Sequence, residues 1–208
     1  MNRQQVIDIA RAAFGDMQSD DGREAGFVFR HGQAVAKLAV HLARRIDETL
    51  DVSDDVLFCG GLFHDCAKGG PKHAAAGADR AGELLAGQLS PQDVDAVAHL
   101  VAHHNDRGNR EHDVAVRILQ DADVLDHFGA QNIWLAIYFA AAHDRDLRDT
   151  TAFYRHEQAD GYHAGARASL NFEVSRREFD RRVAITDAFY AELDHENAGG
   201  LGSPPTAN

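Results

Sequence analysis

The residues best suited to chemistry in this sequence are histidines and aspartates that stand side by side. In the segment LFHDCAKGG, residues 62–70, His64 and Asp65 follow an apolar run and Lys68 comes three residues after the aspartate. Imidazole and carboxylate groups together bind Zn, Fe, Mn, Co or Ni, and further oxygen ligands shift the preference toward Mn or Mg. A lysine beside such ligands can meet a phosphate group. The segment therefore indicates a divalent metal site with a cation placed for a phosphorylated substrate.

The composition indicates a local site, such as a bound metal ion, that could attract a small anion. The chain has 13 histidines and only three lysines, and two of these, Lys68 and Lys72, follow the His64–Asp65 pair. The formal net charge of −12 argues against a nucleic-acid polymer as partner, because binding to a phosphate backbone needs clustered Lys and Arg. A small phosphorylated molecule can still bind where a metal ion attracts it.

Length and cysteine content limit the fold and its location. With 208 residues the chain is expected to form one domain that buries a core without cross-links. Cys59 and Cys66 are too few for a disulfide framework and are not spaced as Cys-x-x-Cys, which favours a reducing compartment. No apolar run approaches the roughly 20 residues of a spanning helix, and no signal peptide is recognisable. These features predict a cytoplasmic protein with no membrane partner.

Apolar residues recur at helical spacing along most of the chain, and no stretch alternates with a period of two. Ser53 and the segment SPQD at 90–93 supply N-cap serines. The predicted fold class is all-α, a single-domain helical bundle over residues 1–197. Its helices are expected at about 2–14, 27–50, 54–66, 73–89, 91–104, 113–128, 131–143 and 173–196.

Three segments are predicted to lie outside the helices. Residues 154–171 are polar and contain glycine, so a loop over one face is expected there. Loops at 105–113 and 144–172 are expected to shape the substrate pocket. Residues 198–208 should form a disordered tail.

The candidate metal ligands lie at the ends of predicted helices rather than in the middle of solvent-facing helix surfaces. Clusters at several helix ends favour one pole of the bundle where side chains converge. In chain order the candidates are His31, His64, Asp65, His73, His103 and His104, with Asp121, Asp123 and Asp126 on the sixth helix.

Three motifs in order carry a resemblance to a known family. They are His-x3-Val-x2-Leu-Ala at His31–Ala39, LFHDCAK at 62–68 and ILQDADVLDHFGA at 118–130. Together they resemble the H…HD…D signature of the HD-superfamily metal-dependent phosphohydrolases over roughly residues 24–143. The pattern is most similar to that of small bacterial HD proteins grouped with nucleotide pyrophosphohydrolases. The resemblance implies an all-α, HD-type bundle whose metal site, at one pole, is formed by His31, His64, Asp65 and a downstream aspartate.

Asp121 and Asp123 compete for the role of the fourth ligand. They lie two residues apart, about 200° around a helix axis, so they cannot both point at one ion. Members of the resembled family typically carry the ligand in an Ala-Asp-x-Leu frame, which Asp123 matches in this chain. On this resemblance Asp123 is the predicted ligand. Asp126 and His127, on the same face, are expected to orient ligands or water.

Further histidines raise the question of a second ion. His73 and the pair His103–His104 look like the extra histidine motifs of dinuclear HD proteins, including the HD-GYP cyclic-dinucleotide phosphodiesterases. Asp65 would then bridge two ions, with His73 and either His103 or His104 on the second. The glycine-rich sequence that follows the paired histidines in the HD-GYP group is missing here, and the interval from His64 to His73 is short. The sequence leaves both one ion and two ions open.

The resemblance implies hydrolysis of a phosphoester or phosphoanhydride in a small phosphorylated metabolite, with a nucleotide as the first expectation. A bound divalent ion lowers the pKa of its water from about 15.7 toward 7 and polarises a phosphoryl oxygen. Asp65 and Lys68 are the expected catalytic residues, with Lys68 acting on the phosphate rather than on the metal. The predicted substrate contacts are Lys68, Lys72, Glu24 and Arg107, and further arginine candidates are Arg23, Arg30 and Arg110.

Two other classes of function stay open at this point. Some dinuclear-iron HD proteins are oxygenases that cleave carbon–phosphorus or carbon–carbon bonds, in phosphonate- or polyol-like substrates, with the same kinds of ligand. Glu24 is placed like the lid or substrate-binding acid of that group, although Asp21 stands where its tyrosine is expected. A non-catalytic nucleotide sensor would keep the fold without turnover, which the full set of four primary ligands argues against. The sequence also allows a homodimer and does not name the substrate.

Overall fold

The computed structural model describes residues 1–19, 22–70 and 72–202. In that part of the chain ten α-helices form a bundle, and the only β-type pairing is a single bridge between Ala86 and Leu89. The prediction of an all-α fold is confirmed. No described helix is long and apolar enough to cross a membrane. The helices are α1 Arg3–Phe14, α2 Phe27–Ile46, α3 Asp54–Phe63, α4 His73–Leu85, α5 Pro91–His103, α6 Val114–Asp126, α7 Ala130–Ala142, α8 Leu147–Ala159, α9 Tyr162–Ser169 and α10 Glu173–Asn197.

Two glycines bring α2 and α3 into backbone contact. A Cβ atom added to Gly32 would stand 2.5 Å from a backbone oxygen at the end of α3, and one added to Gly61 would stand 2.5 Å from a backbone atom of α2. A residue with a Cβ atom at either position would have to push the two helices apart. The close crossing places His31 of α2 next to His64, the residue that follows α3, with ring centroids 4.9 Å apart.

Side-chain N-caps determine where three of the site-bearing helices begin. Ser53, Ser90 and Asp113 each accept a hydrogen bond from a backbone N–H group in the first turn of α3, α5 and α6, respectively. At their other ends, α3 stops just before His64 and α5 stops just before His104. The rings of these two histidines meet at one pole of the bundle, with centroids 5.1 Å apart.

The predicted helices are present, but three of them end early. α2 ends at Ile46 rather than near 50, α3 at Phe63 rather than near 66, and α4 at Leu85 rather than near 89. Because α3 ends early, residues 64–69, which include His64, Asp65 and Lys68, lie in turns rather than in a helix. The predicted tail at 198–208 is described only as far as residue 202, and residues 203–208 lie outside the described residues.

The prediction of loops at 154–171 and 144–172 is wrong, because α8 and α9 occupy most of both ranges. Asp146 opens α8 with a capping box, which satisfies backbone N–H groups at its start. Tyr154 is buried and stacks on Tyr190 of α10, with ring centroids 4.3 Å apart. The polar composition of this segment therefore reflects an exposed pair of helices anchored by one buried tyrosine.

Candidate metal centre

Four predicted ligands meet where α2, α3 and α6 converge. The Nε2 atom of His31 lies 3.1 Å from Oδ1 of Asp123 and 3.2 Å from Nε2 of His64. Nε2 of His64 lies 3.5 Å from Oδ2 of Asp65 and 3.6 Å from Oδ1 of Asp123. All four residues are at most 4% exposed. One ligand atom from each of His31, His64 and Asp65 lies within 4.8 Å of the other two, and Asp123 forms a second such group with His31 and His127.

Hydrogen bonds on the far side of each ring aim the ligand nitrogens inward. Nδ1 of His64 donates to the carbonyl oxygen of Gly61 at 2.8 Å, and Nδ1 of His104 donates to that of Val101 at 2.7 Å. Nδ1 of His31 lies 2.8 Å from Oδ2 of Asp126, as expected for an aspartate that orients a ligand. Since a carbonyl oxygen can only accept, Nδ1 is the donor in His64 and His104, and Nε2 of these two rings can offer its lone pair to a metal.

The electrostatics of this pole favour a positive charge. Burial opposes protonation of His31, but its hydrogen bonds to Asp123 and Asp126 and their charges outweigh burial and raise the pKa of His31 to about 9. Burial opposes ionisation of Asp65 and Asp123 as well, yet neighbouring histidines and the cations beside them hold the pKa of both carboxyl groups well below the ordinary value. A divalent cation carries two positive charges and would therefore balance the two ionised carboxylates better than a single proton does.

Asp65 also faces a second pair of histidines. Its Oδ1 atom is buried and accepts no hydrogen bond from any described residue, and it lies 3.6 Å from Nε2 of His104 and 3.8 Å from Nε2 of His73. Burial and the nearby Lys68 ammonium lower the pKa of His73, so its ring is neutral and able to ligate. The buried, unpartnered oxygen and the nitrogen–oxygen donor set fit a divalent transition ion.

His103, predicted as an alternative to His104 near this second ion, lies elsewhere. Its ring packs against His99 and His112, with centroids 4.7 Å and 5.0 Å apart. His104, one position along the chain, turns inward to Asp65 instead. Only one member of the pair reaches the buried cluster.

Asp121 and Asp123 point to opposite sides of α6. Asp121 accepts hydrogen bonds from the backbone N–H groups of Asn171 at 2.7 Å and Phe172 at 3.1 Å, and from the Asn171 side chain at 2.9 Å. Asp121 therefore holds the start of α10 against α6. Asp123 faces the histidine cluster, and the ring of His127, one turn later, packs on that of His31 with centroids 4.7 Å apart.

Two cations stand over the carboxylates at the mouth of the cluster. Lys68 Nζ donates to Oδ2 of Asp65 at 2.8 Å, and the Arg107 guanidinium donates to Oδ2 of Asp123. Both cations are more than one-third exposed. They lie on a cleft of about 530 Å³ whose other walls include His127 and Tyr162. Both groups can therefore reach an anion bound in the cleft.

The other predicted cations do not share this position. Lys72 is exposed and precedes α4 in a left-handed backbone conformation. Arg30 pairs with Glu24, and Arg110 donates to the carbonyl oxygen of Leu170. Arg23 packs over Phe27 and lines a second cavity.

This second cavity, of about 430 Å³, continues from the cleft toward α7 and α8. His127 and Tyr162 line both spaces, and apolar side chains such as Leu135, Phe139 and Phe153 form much of the wall. The sequence reasoning missed Phe153 because it expected a loop across 144–172, and it singled out no apolar residue of the predicted helix at 131–143. The sequence did contain a signal for a helix within 144–172: the aspartates at positions 146 and 149, which form the capping box at the start of α8.

The side chain of Glu24 is held by α7, the first helix that lines this cavity. Its Oε1 atom accepts hydrogen bonds from Trp134 Nε1 of α7, at 3.0 Å, and from Arg30. Burial would raise the pKa of Glu24, but these two donors outweigh it and lower the pKa. Glu24 is therefore a carboxylate that ties α7 to α2.

Comparison with known proteins places this geometry in a family context. Residues 28–127 match the model of the HD domain family. The structure is similar to YpgQ of Bacillus subtilis in complex with ADP, at 20% identity over 94% of this chain and 98% of that chain, with a TM-score of 0.65. It is also similar to a predicted HD superfamily hydrolase from an uncultured Thermotogales bacterium (22% identity, 93% and 91% covered, TM-score 0.62). A third similar structure is an HD-superfamily hydrolase from Bacillus thuringiensis, at 18% identity over 95% of this chain and 99% of that chain, with a TM-score of 0.66. No curated protein sequence was found to match the chain.

Proposed function

Because residues 28–127 match the model of the HD domain family, we propose that the protein is a metal-dependent phosphohydrolase that cleaves a phosphoester or phosphoanhydride of a small phosphorylated metabolite. The match of residues 28–127 to the HD domain family model supports the predicted membership among HD-type metal-dependent hydrolases. The narrower grouping with nucleotide pyrophosphohydrolases stays a prediction. The observation that carries the proposal is Asp65, a buried carboxylate with one oxygen on Lys68 and the other unpartnered between His73 and His104.

The ligands that we propose for the ion are His31, His64 and Asp65, which form one close group, and Asp123, which forms another with His31 and His127. His73 and His104 form a third group with Asp65, so they could share it with a second ion. When bound, such an ion makes a water molecule acidic enough to ionise near neutral pH and polarises the phosphoryl group. Asp126 holds His31 in the orientation that this task needs. Manganese, iron, cobalt, nickel and zinc all suit the donor set, and magnesium suits its oxygen ligands.

Lys68 and Arg107 supply the charge for the substrate. Each is paired with a ligand carboxylate, Lys68 with Asp65 and Arg107 with Asp123. If these carboxylates held a divalent ion, both cations would be free to neutralise a phosphate in the cleft. Hydrolysis of a phosphoryl group needs mainly positioning and positive charge, which this arrangement offers.

The adjoining cavity supports a substrate with an apolar or aromatic portion, for which a nucleotide is our preferred class. Its volume of about 430 Å³ and its wall of Leu135, Phe139 and Phe153 suit a flat ring better than a second charged group. The similar YpgQ structure contains ADP, which is consistent with this preference.

The direct test is a hydrolysis screen of nucleoside mono-, di- and triphosphates, cyclic nucleotides and general phosphoesters. Mn, Mg, Co, Ni, Zn and Fe are each added separately, and phosphate or pyrophosphate release is measured. We expect release that depends on the ion and disappears in Asp65→Ala. Oxygen uptake by the iron-loaded protein, without phosphate release from any substrate, would contradict the proposal and favour an oxygenase. Nucleotide binding without turnover under any ion would favour a sensor.

A further inference from the structure

A second group of histidines lies on the outside of the connection between α5 and α6. It consists of His99 and His103 on α5 and of Asp106 and His112 on the connection, and we refer to these four residues as the peripheral cluster. His99 and His103 are four residues apart, so their rings project from one face of the helix, with centroids 4.7 Å apart. None of the four residues belongs to the Asp65 site described above.

The donor atoms of the peripheral cluster are already close. One ligand atom from each of His103, Asp106 and His112 lies within 4.8 Å of the other two. Nε2 of His112 is 2.9 Å from Oδ2 of Asp106, and the rings of His103 and His112 are 5.0 Å apart. Ligands of one tetrahedral zinc ion stand about 2 Å from the metal, so little movement is needed.

Neighbouring residues hold the cluster in this arrangement. The Gln120 side chain donates from Nε2 to the carbonyl oxygens of both His103 and Asp106, each at 3.0 Å, which pins the connection to α6. The side chain of His112 is only 10% exposed although its residue lies in a connecting segment. Nε2 of His99 lies 2.8 Å from Oδ2 of Asp113, the residue that caps α6.

We propose that the peripheral cluster is a separate binding site for a transition-metal ion of the zinc class. His103, Asp106 and His112 are its ligands, and His99 becomes the fourth ligand when it turns from Asp113 toward the ion. Imidazole nitrogens with one carboxylate select Zn²⁺, Co²⁺, Ni²⁺ or Cu²⁺ over Mg²⁺ and Ca²⁺, which prefer oxygen. The inference does not depend on the proposed hydrolase activity.

The position of this site gives it a structural role. The chain between His103 and His112, residues 104–111, includes His104, which faces Asp65, and Arg107, which pairs with Asp123. An ion held by His103, Asp106 and His112 would tie both ends and the middle of this segment together. It would thereby fix the segment that delivers Arg107 to the substrate cleft.

The test counts zinc ions bound to the full chain. Wild-type protein and variants are dialysed against buffered Zn²⁺ over a range of free concentrations, and bound metal is measured by mass spectrometry. We expect His103→Ala and His112→Ala to bind one ion per chain fewer than wild type, or to bind it about 100-fold more weakly, since even outer-shell partners contribute 10- to 100-fold. Asp65→Ala should lose metal at the inner site and keep the peripheral ion.

His156→Ala is the matched control, because His156 is an exposed histidine that lies 3.7 Å from an aspartate and has no second imidazole near it among the described contacts. It should bind zinc as wild type does. If His112→Ala does not fold, His99→Ala takes its place in the zinc measurement, because His99 is exposed and its replacement should not disturb the packing. Unchanged stoichiometry and affinity in both His103→Ala and His99→Ala would overturn the proposal. The proposal would also be overturned if Asp65→Ala bound no more zinc than the double variant Asp65→Ala, His103→Ala, because the intact peripheral cluster would then bind none.

Discussion

We call the helices that carry the candidate ligands, α2, α3 and α6, the inner wall, and the helices along the cleft and its adjoining cavity, α7, α8 and α9, the outer wall. The two walls differ in how their side chains are held. On the inner wall His31, His64 and Asp123 are at most 4% exposed. On the outer wall α9, which is described throughout, has no buried residue, and Phe153 of α8 is 51% exposed. The inner wall is close-packed, whereas the outer wall depends on a few anchors.

This difference separates two tasks. Metal ligands have to be held closely, and the backbone contact between α2 and α3 at Gly32 and Gly61 provides a rigid frame for them. Substrate shape can be read by a looser surface of aromatic side chains. We therefore expect changes on the inner wall to abolish chemistry and changes on the outer wall to alter substrate affinity only.

The largest effect is expected for Asp65→Ala, which removes the carboxylate shared by both candidate ion positions. kcat/KM on the best substrate should fall by about 10⁴-fold or more, as for loss of a central catalytic group. Steady-state kinetics with saturating Mn²⁺ measures this. Asp160→Ala, which removes an exposed aspartate at the end of α8, is the control and should keep wild-type kinetics. Substantial activity in Asp65→Ala would refute the assignment of the inner wall.

Lys68→Ala should have the next largest effect, because Lys68 contributes charge without ligating the ion. We expect the metal content and the fold to be kept while kcat/KM falls about 10²–10³-fold, comparable to removal of one electrostatic donor. Lys68→Arg should recover part of the loss, since a planar guanidinium does not replace a compact ammonium. Wild-type kinetics in Lys68→Ala would place this lysine outside the reaction, and loss of metal would make its role structural.

A matched pair of glycine substitutions tests the packing of the two walls. Gly61→Ala inserts a Cβ atom against the backbone of α2 and should lower the free energy of unfolding by about 1–3 kcal/mol. Gly165→Ala in α9 meets open space and should raise it by about 0.4–1 kcal/mol, because alanine has less backbone freedom to lose on folding. Urea titrations followed by circular dichroism give both values. Equal effects of the two substitutions would remove the contrast between the walls.

The smallest effect is expected on the outer wall itself. Phe153→Ala should raise KM about fivefold at unchanged kcat, which corresponds to about 1 kcal/mol of lost apolar contact with the substrate. Leu147→Ala is its control, because Leu147 is a similarly exposed apolar residue of α8 that does not line this cavity. A fall in kcat with unchanged KM in Phe153→Ala would mean that the outer wall takes part in the chemistry.

The same contrast explains which features were predictable from sequence. His31, His64 and Asp65 stand in short motifs within an apolar helix pattern, and the order of these motifs, which resembles a known family signature, nominated them as ligands. The α8 and α9 part of the outer wall was mistaken for a loop because these two helices are polar, and the buried ring of Tyr154 in α8 contacts Tyr190, which lies more than 30 residues away in α10. Such a tertiary contact has no local signature.

Adjacent candidate residues illustrate a second limit. His103 and His104 differ by one position at the end of a helix, and sequence does not say which ring turns inward. The end of α5 decides it: Nδ1 of His104 donates to the carbonyl oxygen of Val101, and this bond aims the ring at Asp65. Asp123 was distinguishable from Asp121 only through a resemblance, since both have apolar neighbours at helical spacing.

The most direct test of the central claim, that the inner wall holds a divalent ion, is the metal content of Asp123→Asn compared with Asp121→Asn. Both substitutions are made in chains that also carry His103→Ala, so that an ion on the peripheral cluster is not counted, and metal per chain is measured after dialysis against Mn²⁺. Asp123→Asn should lose the inner ion while Asp121→Asn keeps it, although Asp121→Asn should unfold more easily because Asp121 holds the start of α10. Retention of the ion in Asp123→Asn together with its loss in folded Asp121→Asn would contradict the account.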